Sequence, residues 1–475
     1  MHGTFTGVNS QHMKKRFFYN GYCIAAIAFV AAFAFFLFAY PYHLMHREQL
    51  DLFLYDWDYI RKTYTGNAWL ARFVTDFLEQ FFCLKVAGAL VIALILTAIG
   101  SVSYRICRKF LKKLPSYIIA ALVFGWAFMR ETGNLYSTRY TVVVLGYLSV
   151  ILAAMQFDKI WSKAASSVIL ICISIWALGS PVHKNYGQLW NTPLFDYERL
   201  IGLDAEVANE NWDKVMKLSK KDLYMREASY CYNLALGMKG ELGNRFFEHS
   251  QGTAYDLLLF VSSENAVFVN TMAGEAWYQL GNMTIAEQSA ITSLQASPNH
   301  TGARFIKRLA IVSLVKGDEA AAQKYLKMLS KTLFYRRWAL KMMPGRQDET
   351  TKAWIQKKRS LMADTDFVHL SNVPRAILQG MLKTDPDNTM AREYLLLYDL
   401  LRYDIDQFME DYLPDMIDGQ IYHEAVLINL AQQGRLRDED AAEYGISPSL
   451  LNKMDSFARF PDRYKSSYWY YFLTD

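Results

Sequence analysis

The stretch Asp56-Trp57-Asp58-Tyr59 holds the residues whose types and spacing best fit catalysis. A carboxylate in a loop beside a membrane surface can bind a metal ion or act as a general base. Asp56 and Asp58 are therefore the candidate catalytic residues of an envelope transferase that acts on a lipid-linked substrate. The alternative is that both carboxylates are solvated in a loop of interfacial aromatic residues, which requires no chemistry.

Other reactive residue types do not form a recognisable site. The nine histidines are scattered, and the closest pair, His43 and His46, has no third ligand nearby. The chain contains no phosphate-binding lysine loop, no GxGxxG and no GxSxG, so NTPase, dinucleotide and serine-hydrolase readings are unsupported. Only one of the five cysteines, Cys231, lies in the long C-terminal part, which excludes a disulfide framework there. We expect no metal and no cofactor.

Apolar runs dominate the first 180 residues. A helix needs about 20 apolar residues to cross the hydrocarbon. We predict five spans, at about 17–40, 84–102, 114–129, 140–157 and 164–180, after an N-terminal tail of residues 1–16. The run 17–40 exceeds the apolar core of a signal peptide, and no small-residue cleavage site follows it, so we interpret it as a retained span.

The basic cluster YRICRKFLKK, residues 104–113, orients these spans, because loops rich in Lys and Arg stay in the cytoplasm. With this cluster inside, the cytoplasmic segments hold ten Lys or Arg and one Asp, whereas the outer segments hold seven basic and seven acidic residues. The pattern predicts a cytoplasmic N terminus and a C-terminal domain outside the cytoplasm. Residues 1–180 carry the positive net charge of the chain, and we expect no nucleic-acid partner.

Residues 41–82 form the first outer loop and are neither a polar linker nor a further span. Apolar positions repeat every 3.6 residues, at Leu70, Phe73, Val74, Phe77, Leu78 and Phe81, and the charged positions lie among them, at Arg72, Asp76 and Glu79. This periodicity predicts an amphipathic helix in the membrane interface. Gly66-Asn67 would separate it from a shorter helix that carries Asp56, Trp57 and Asp58.

After a linker at 181–195, residues 196–475 show amphipathic helices separated by Gly, Asn and Pro turn signals. Some of the spacings are those of a tetratricopeptide repeat, in which Gly permits the turn of a helical hairpin and Ala lets its two helices approach closely. The repeat positions are Trp277, Gly281, Ala286, Pro298, Gly317 and Ala322. The fold class that we predict is all-α, a five-span unit followed by an α-solenoid of tetratricopeptide-like hairpins.

The combination of LFLYDWDY, FLEQFF and a Gly-Ala apolar span with the later LGNMTIAEQSA and SKTLFYRRWAL resembles a family of unknown function. Its members are multi-pass membrane proteins of Gram-negative bacteria with a C-terminal tetratricopeptide-like region. The resemblance covers most of residues 17–475 and its motifs are structural. It implies a bacterial inner-membrane location with the repeat domain in the periplasm.

Two functions are compatible with this organisation. The first is a membrane-anchored scaffold or adaptor whose helical repeats bind a protein or peptide partner, as repeat arrays commonly do. The second is the envelope transferase at Asp56 and Asp58. The scaffold accounts for more of the chain, and membrane lipid is an expected partner in both cases.

Overall fold

The computed structural model describes residues 21–133, 137–156, 160–179, 192–297, 300–363 and 370–474. These residues form α-helices joined by turns and short 3₁₀ and π segments, with no strand among them, which confirms the all-α prediction. The chain divides into two units. The first unit comprises residues 1–198 and 328–336, and the second comprises residues 199–327 and 337–475. Residues 196–198 and 328–336, which we expected in the domain 196–475, therefore belong to the first unit.

Eight helices belong to the described part of the first unit. They are α1 Gly21–Ala34, α2 Pro41–Leu50, α3 Trp57–Thr63, α4 Trp69–Glu79, α5 Lys85–Cys107, α6 Lys113–Glu131, α7 Thr138–Ala154 and α8 Ile160–Leu178. A π-helical turn, Phe35–Ala39, extends α1, and Pro41 then begins α2, where its missing N–H costs no helical hydrogen bond. Among the described residues, two helices are long and apolar enough to cross a membrane, Tyr22–Ala39 and Lys85–Cys107. The segments Thr138–Ala154 and Val168–Leu178 are apolar but shorter.

The first outer loop is helical over most of its length. Helix α4 and the following 3₁₀ turn Gln80–Cys83 cover the segment with the 3.6-residue period. The short helix α3 begins at Trp57, so that Asp56 precedes the helix as its N-cap. Gly66, at a positive φ of 71°, lies between the two helices, as its type predicts. Helix α2, which immediately follows the first apolar run, had no separate signal in the periodicity.

The second unit is built from helices α9 to α26. They are α9 Phe195–Ala208, α10 Trp212–Ser219, α11 Arg226–Lys239, α12 Leu242–Arg245, α13 Ala254–Leu257, α14 Val267–Leu280, α15 Met283–Ala296, α16 Ala303–Lys316, α17 Glu319–Leu329, α18 Arg336–Met342, α19 Glu349–Ser360, α20 Pro374–Thr384, α21 Thr389–Leu401, α22 Ile405–Asp411, α23 Gln420–Gln432, α24 Asp438–Ala442, α25 Pro448–Arg459 and α26 Tyr468–Thr474. The first residues of α9 (195–198), the last two of α17 (328–329) and the first of α18 (Arg336) belong to the first unit.

Consecutive helices α14, α15 and α16 pack side by side. Gly281 ends α14 in the left-handed region, at φ 105°, and Asn282 caps α15 by accepting a hydrogen bond from the Ile285 N–H at 3.0 Å. Helices α14 and α15 approach closely because Gly274 has no side chain: a Cβ there would overlap Ser289. Trp277, Ala286 and Ala322 are buried, Gly317 ends α16 at φ 82°, and Pro298 lies outside the described residues.

Four helices of the second unit, α11, α14, α21 and α23, are buried over nearly their whole length. Contacts between residues far apart in sequence hold them together. For example, the Asn388 side-chain amide donates to the Leu280 carbonyl at 2.9 Å, and the Trp469 indole N–H donates to the Glu424 carbonyl at 2.9 Å. In a linear solenoid each repeat contacts only its neighbours. The second unit has a shared core, so its hairpins are packed together more extensively than the repeat spacing alone predicts.

The hairpin crossing can be tested by enlarging Ala286, which packs in a cluster with Tyr278, Met283, Val312 and Val315. We expect Ala286→Trp in the full-length protein to lower the unfolding free energy by about 1–3 kcal/mol, because the added ring has no space. Thermal unfolding followed by circular dichroism in detergent measures the change. Thr284→Trp, which adds the same ring on the exposed side of α15, is the control and should be nearly neutral. Equal melting curves for the two variants would contradict this packing.

Candidate functional site

The two aspartates singled out in the sequence have different surroundings. Asp56 caps α3 by accepting a hydrogen bond from the Tyr59 N–H at 2.9 Å, and it forms a 2.5 Å ion pair with Lys331. The hydrogen bond from Lys331, followed by that from the Tyr59 N–H, lowers the pKa of Asp56. Asp58 is exposed in the first turn of α3. These contacts give Asp56 a structural role and leave Asp58 on the surface.

The segment 328–336, called here the inserted segment, supplies Lys331 to the first unit. The Tyr55 N–H donates to the Lys331 carbonyl at 2.7 Å. The Tyr335 hydroxyl donates to the buried carboxylate of Glu48, at 2.9 and 3.0 Å from its two oxygens, and the rings of Phe334 and Phe81 meet edge to face. The inserted segment is therefore held by backbone, charge and aromatic contacts to the outer loop.

Helix α2 forms several buried polar contacts with other segments of the first unit. The Arg47 guanidinium pairs with Glu131 at 2.5 Å and donates to the Thr138 hydroxyl at 2.9 Å, which joins α2 to the end of α6 and the start of α7. The Glu198 carboxylate accepts the N–H groups of Tyr42 and His43 at 2.6 and 2.9 Å. Burial nevertheless raises the pKa of Glu198 to about 8, and it lowers the pKa of His43 well below its ordinary value.

Three further acids of the outer loop converge next to α2. Asp51 follows the last residue of α2, while Asp76 and Glu79 lie one turn apart on α4. One carboxylate oxygen from each lies within 4.8 Å of the others. The Tyr64 hydroxyl donates to Asp76 at 2.9 Å. We call Asp51, Asp76 and Glu79 the acid triad.

Two members of the acid triad, Asp76 and Glu79, hold protons more tightly than ordinary carboxylates do. Burial, followed by the charge of Asp51, raises the pKa of Asp76 to about 7 and that of Glu79 well above its ordinary value. Burial and a neighbouring like charge both disfavour the ionised form of a carboxyl, so the two effects add. Such groups can donate or accept a proton, and their oxygens also lie within the spacing that oxygen ligands take around Ca²⁺.

The 3.6-residue period predicts Asp76 and Glu79 among the charged positions of an amphipathic helix, and it does not indicate a site. In the structure the most buried residues of α4 are Ala71, Thr75 and Glu79, and α4 packs on α7 and α8. The face that carries Glu79 is thus turned toward the protein, while Arg72 and Asp76 are half-buried. The i, i+3 spacing of Asp76 and Glu79 on one helix was the only sequence feature that could have indicated this site. No sequence feature indicates that Asp51, 25 residues before Asp76, lies close to them.

The second unit contains a buried charged network of a different kind. Arg304 pairs with Asp204 and, at 3.2 Å, with Glu275, which also pairs with Arg308 at 2.5 Å. The Arg308 guanidinium lies 3.7 Å from the ring centre of Tyr278. The cavity beside this network has a volume of about 10 Å³, enough for about one water molecule. The network joins α9, α14 and α16 and has no room for a substrate.

The raised pKa of Asp76 predicts a pH-dependent stability. A carboxyl whose pKa is about 7 when folded and 3.8 when unfolded binds more protons in the folded state between these values, so its contribution to stability is lost as the pH rises through this range. We expect Asp76→Asn to flatten the decrease in melting temperature of the full-length protein between pH 5 and 8. Asp58→Asn, an exposed acid of the same loop, is the control and should leave the slope unchanged. Parallel profiles for wild type and Asp76→Asn would contradict the assignment.

The comparisons with known proteins place the chain in a family without assigning an activity. The model of a family of unknown function, DUF6057, matches residues 16–184 and 181–475. No curated protein and no solved structure matches the chain. The two matched stretches together cover nearly the whole sequence, and they include the acid triad and the helical second unit. The chain belongs to the DUF6057 family.

Proposed function

We propose that the protein is an inner-membrane-anchored helical scaffold that binds a protein or peptide partner in the bacterial envelope. The observation that carries the proposal is the side-by-side packing of the successive helices α14, α15 and α16 in the second unit, since helical hairpin arrays serve mainly as protein-binding surfaces. The buried ion pairs around Glu275 satisfy one another, and the cavity beside them is too small for a substrate. Recognition then takes place on the outer faces of the second unit.

The binding surface of this scaffold differs from the groove of an open repeat array. In such an array the first helix of each hairpin lines the groove, but here α14 is buried along nearly its whole length. Exposed apolar side chains instead lie on other helices and on loops, for example Ile291 on α15, Tyr255 on α13 and Leu413 after α22. Large exposed apolar residues are favoured in contacts with partners.

Membrane anchoring through five spans is supported by the apolar surface of the first unit. Two helices have the length and composition of spans. Beyond these, α8 exposes apolar side chains, with Ile169, Ile171 and Ile173 each about half exposed, whereas its Ser174, Ala177 and Leu178 are buried. Leu122 of α6 is 66% exposed. An exposed apolar helix face is stable when lipid covers it. This surface extends the membrane assignment to α6 and α8.

The topology that we propose has a cytoplasmic N terminus and a periplasmic second unit. Alkaline phosphatase folds to an active enzyme only outside the cytoplasm because it requires disulfides. A fusion after Glu210, in the turn that follows α9, should therefore be active, whereas a fusion after Lys112, in the basic cluster, should be inactive. Immunoblots that show equal amounts of both fusions provide the control. The reverse pattern of activity would overturn the topology.

An envelope transferase acting at the first outer loop is the second candidate. The observation that favours it is the acid triad, which offers carboxyls that can bind a proton. Asp56, by contrast, already caps a helix and pairs with Lys331. In this alternative the catalytic acids would be Asp76 and Glu79 in place of Asp56 and Asp58. The scaffold requires no chemistry at these positions.

Complementation of a deletion strain separates the two functions. If the protein is a scaffold, Asp76→Asn should restore the wild-type phenotype, and a photoreactive residue at Ile291 should form an adduct of one defined mass in intact cells. Ile291→Glu should then abolish complementation while Thr284→Glu, on the same helix, should not. Loss of function in Asp76→Asn at wild-type protein level, together with full function of Ile291→Glu, would reject the scaffold in favour of the transferase.

A further inference from the structure

A cavity of about 430 Å³ opens between α1, α5 and α6 of the first unit. Its volume lies in the range of small-molecule and cofactor sites. Helix α1 contributes Tyr22 and Ala28, α5 contributes Thr97 and Arg105, and α6 contributes Lys113 and Phe124, together with neighbouring side chains. It is separate from the acid triad and from the inserted segment.

The cavity is apolar along one part and basic at one end. Thr97 precedes Arg105 by eight residues, which corresponds to about 12 Å along α5. Arg105 and Lys113, at the adjoining ends of α5 and α6, are both exposed, and no Asp or Glu occurs anywhere in residues 80–130. The Thr97 hydroxyl is buried in the wall without a hydrogen-bond partner. A ligand with a negative head and an apolar body complements this distribution.

The basic side chains where α5 ends and α6 begins have two kinds of surroundings. Arg108 donates to the Leu111 carbonyl at 2.7 Å, and Lys109 donates to the Met155 carbonyl at 2.8 Å. Arg105 and Lys113 line the cavity instead. Their wall is completed by Tyr117, whose ring stacks on that of Tyr104 with centres 4.5 Å apart. The Lys113 ammonium lies 6.0 Å from the centre of the Tyr117 ring, and Arg105 and Lys113 are the cations that a ligand in the cavity would meet.

We propose that this cavity binds one anionic phospholipid, whose phosphate lies between Arg105 and Lys113 and whose acyl chain extends past Ala28 and Phe124. Basic pockets between spanning helices on the cytoplasmic side bind anionic lipid head groups. A free phosphate would leave the apolar part of the cavity uncovered, and a zwitterionic lipid would not compensate the two cations. The inference rests on the proposed membrane insertion. It does not depend on whether the protein is a scaffold or a transferase.

Native mass spectrometry of the full-length protein, purified in a mild detergent, tests the proposal. The protein is titrated with dioleoylphosphatidylglycerol, with dioleoylphosphatidylcholine and with glycerol 3-phosphate, and bound molecules are counted. We expect one tightly bound phosphatidylglycerol per chain. The double variant Arg105→Gln/Lys113→Gln should weaken this binding at least about tenfold, because each cation near the phosphate contributes to attraction. Ala28→Phe, which fills the apolar part, should weaken it without changing the charge.

The matched control is Arg108→Gln/Lys112→Gln, which removes two charges from the same cluster but none from the cavity. It should retain the binding of phosphatidylglycerol. Equal binding of phosphatidylcholine, equal effects of the two double variants, or saturation by glycerol 3-phosphate would each overturn the proposal. Sedimentation of the wild-type protein with membranes is measured in parallel. A wild-type protein that does not sediment with membranes contradicts the membrane anchoring, whereas one that sediments without lipid preference contradicts only this inference.

Discussion

The buried ion pair between Arg47 and Glu131 is the interaction on which the first unit depends. The Arg47 side chain is 10% exposed and that of Glu131 is fully buried, so neither charge has water to stabilise it. Arg47 also donates to the Thr138 hydroxyl and to the Glu131 carbonyl, while Glu131 accepts from Thr141. Removing either partner would leave an uncompensated buried charge. The pair therefore fixes α2 against the ends of α6 and α7, and with α2 it fixes the position of Asp51.

The sequence predicted the helices more reliably than the side of each helix that is buried. Periodicity located α4, because apolar residues recur every 3.6 positions whatever surrounds the helix. It did not show that Glu79 and Thr75 would be buried while Phe73 and Phe77 remain partly exposed. A charged side chain can be buried where other segments supply hydrogen-bond partners, as Asp51 and Thr138 do for Glu79. The local pattern does not specify those partners.

Contacts between segments far apart in sequence account for the remaining features that the sequence did not predict. Asp56 drew attention by its aromatic neighbours, but its partner Lys331 lies 275 residues away. Nothing in the local sequence indicates that the inserted segment belongs to the first unit, since residues 328–336 contain no Gly, Pro or Asn that would mark a boundary. In the second unit the glycine positions located turns such as that at Gly281, because a positive φ is a local requirement. The burial of α21 and α23 in a shared core depends on long-range packing, which spacing cannot reveal.

Glu275 in the second unit and Glu79 in the first are both buried, but the main charges beside them have opposite signs. In the second unit, burial raises the pKa of Glu275, but the charges of Arg308 and Arg304 outweigh burial and lower it overall. That carboxylate remains ionised and holds helices together. In the first unit, burial and the charge of Asp51 act in the same direction on Glu79, whose pKa rises. The charges that decide each direction come from other segments of the chain: Asp51 for Glu79, and Arg304 and Arg308 for Glu275. The direction of the pKa shift of these two carboxyls is therefore a property of the packed fold and cannot be derived from the local sequence.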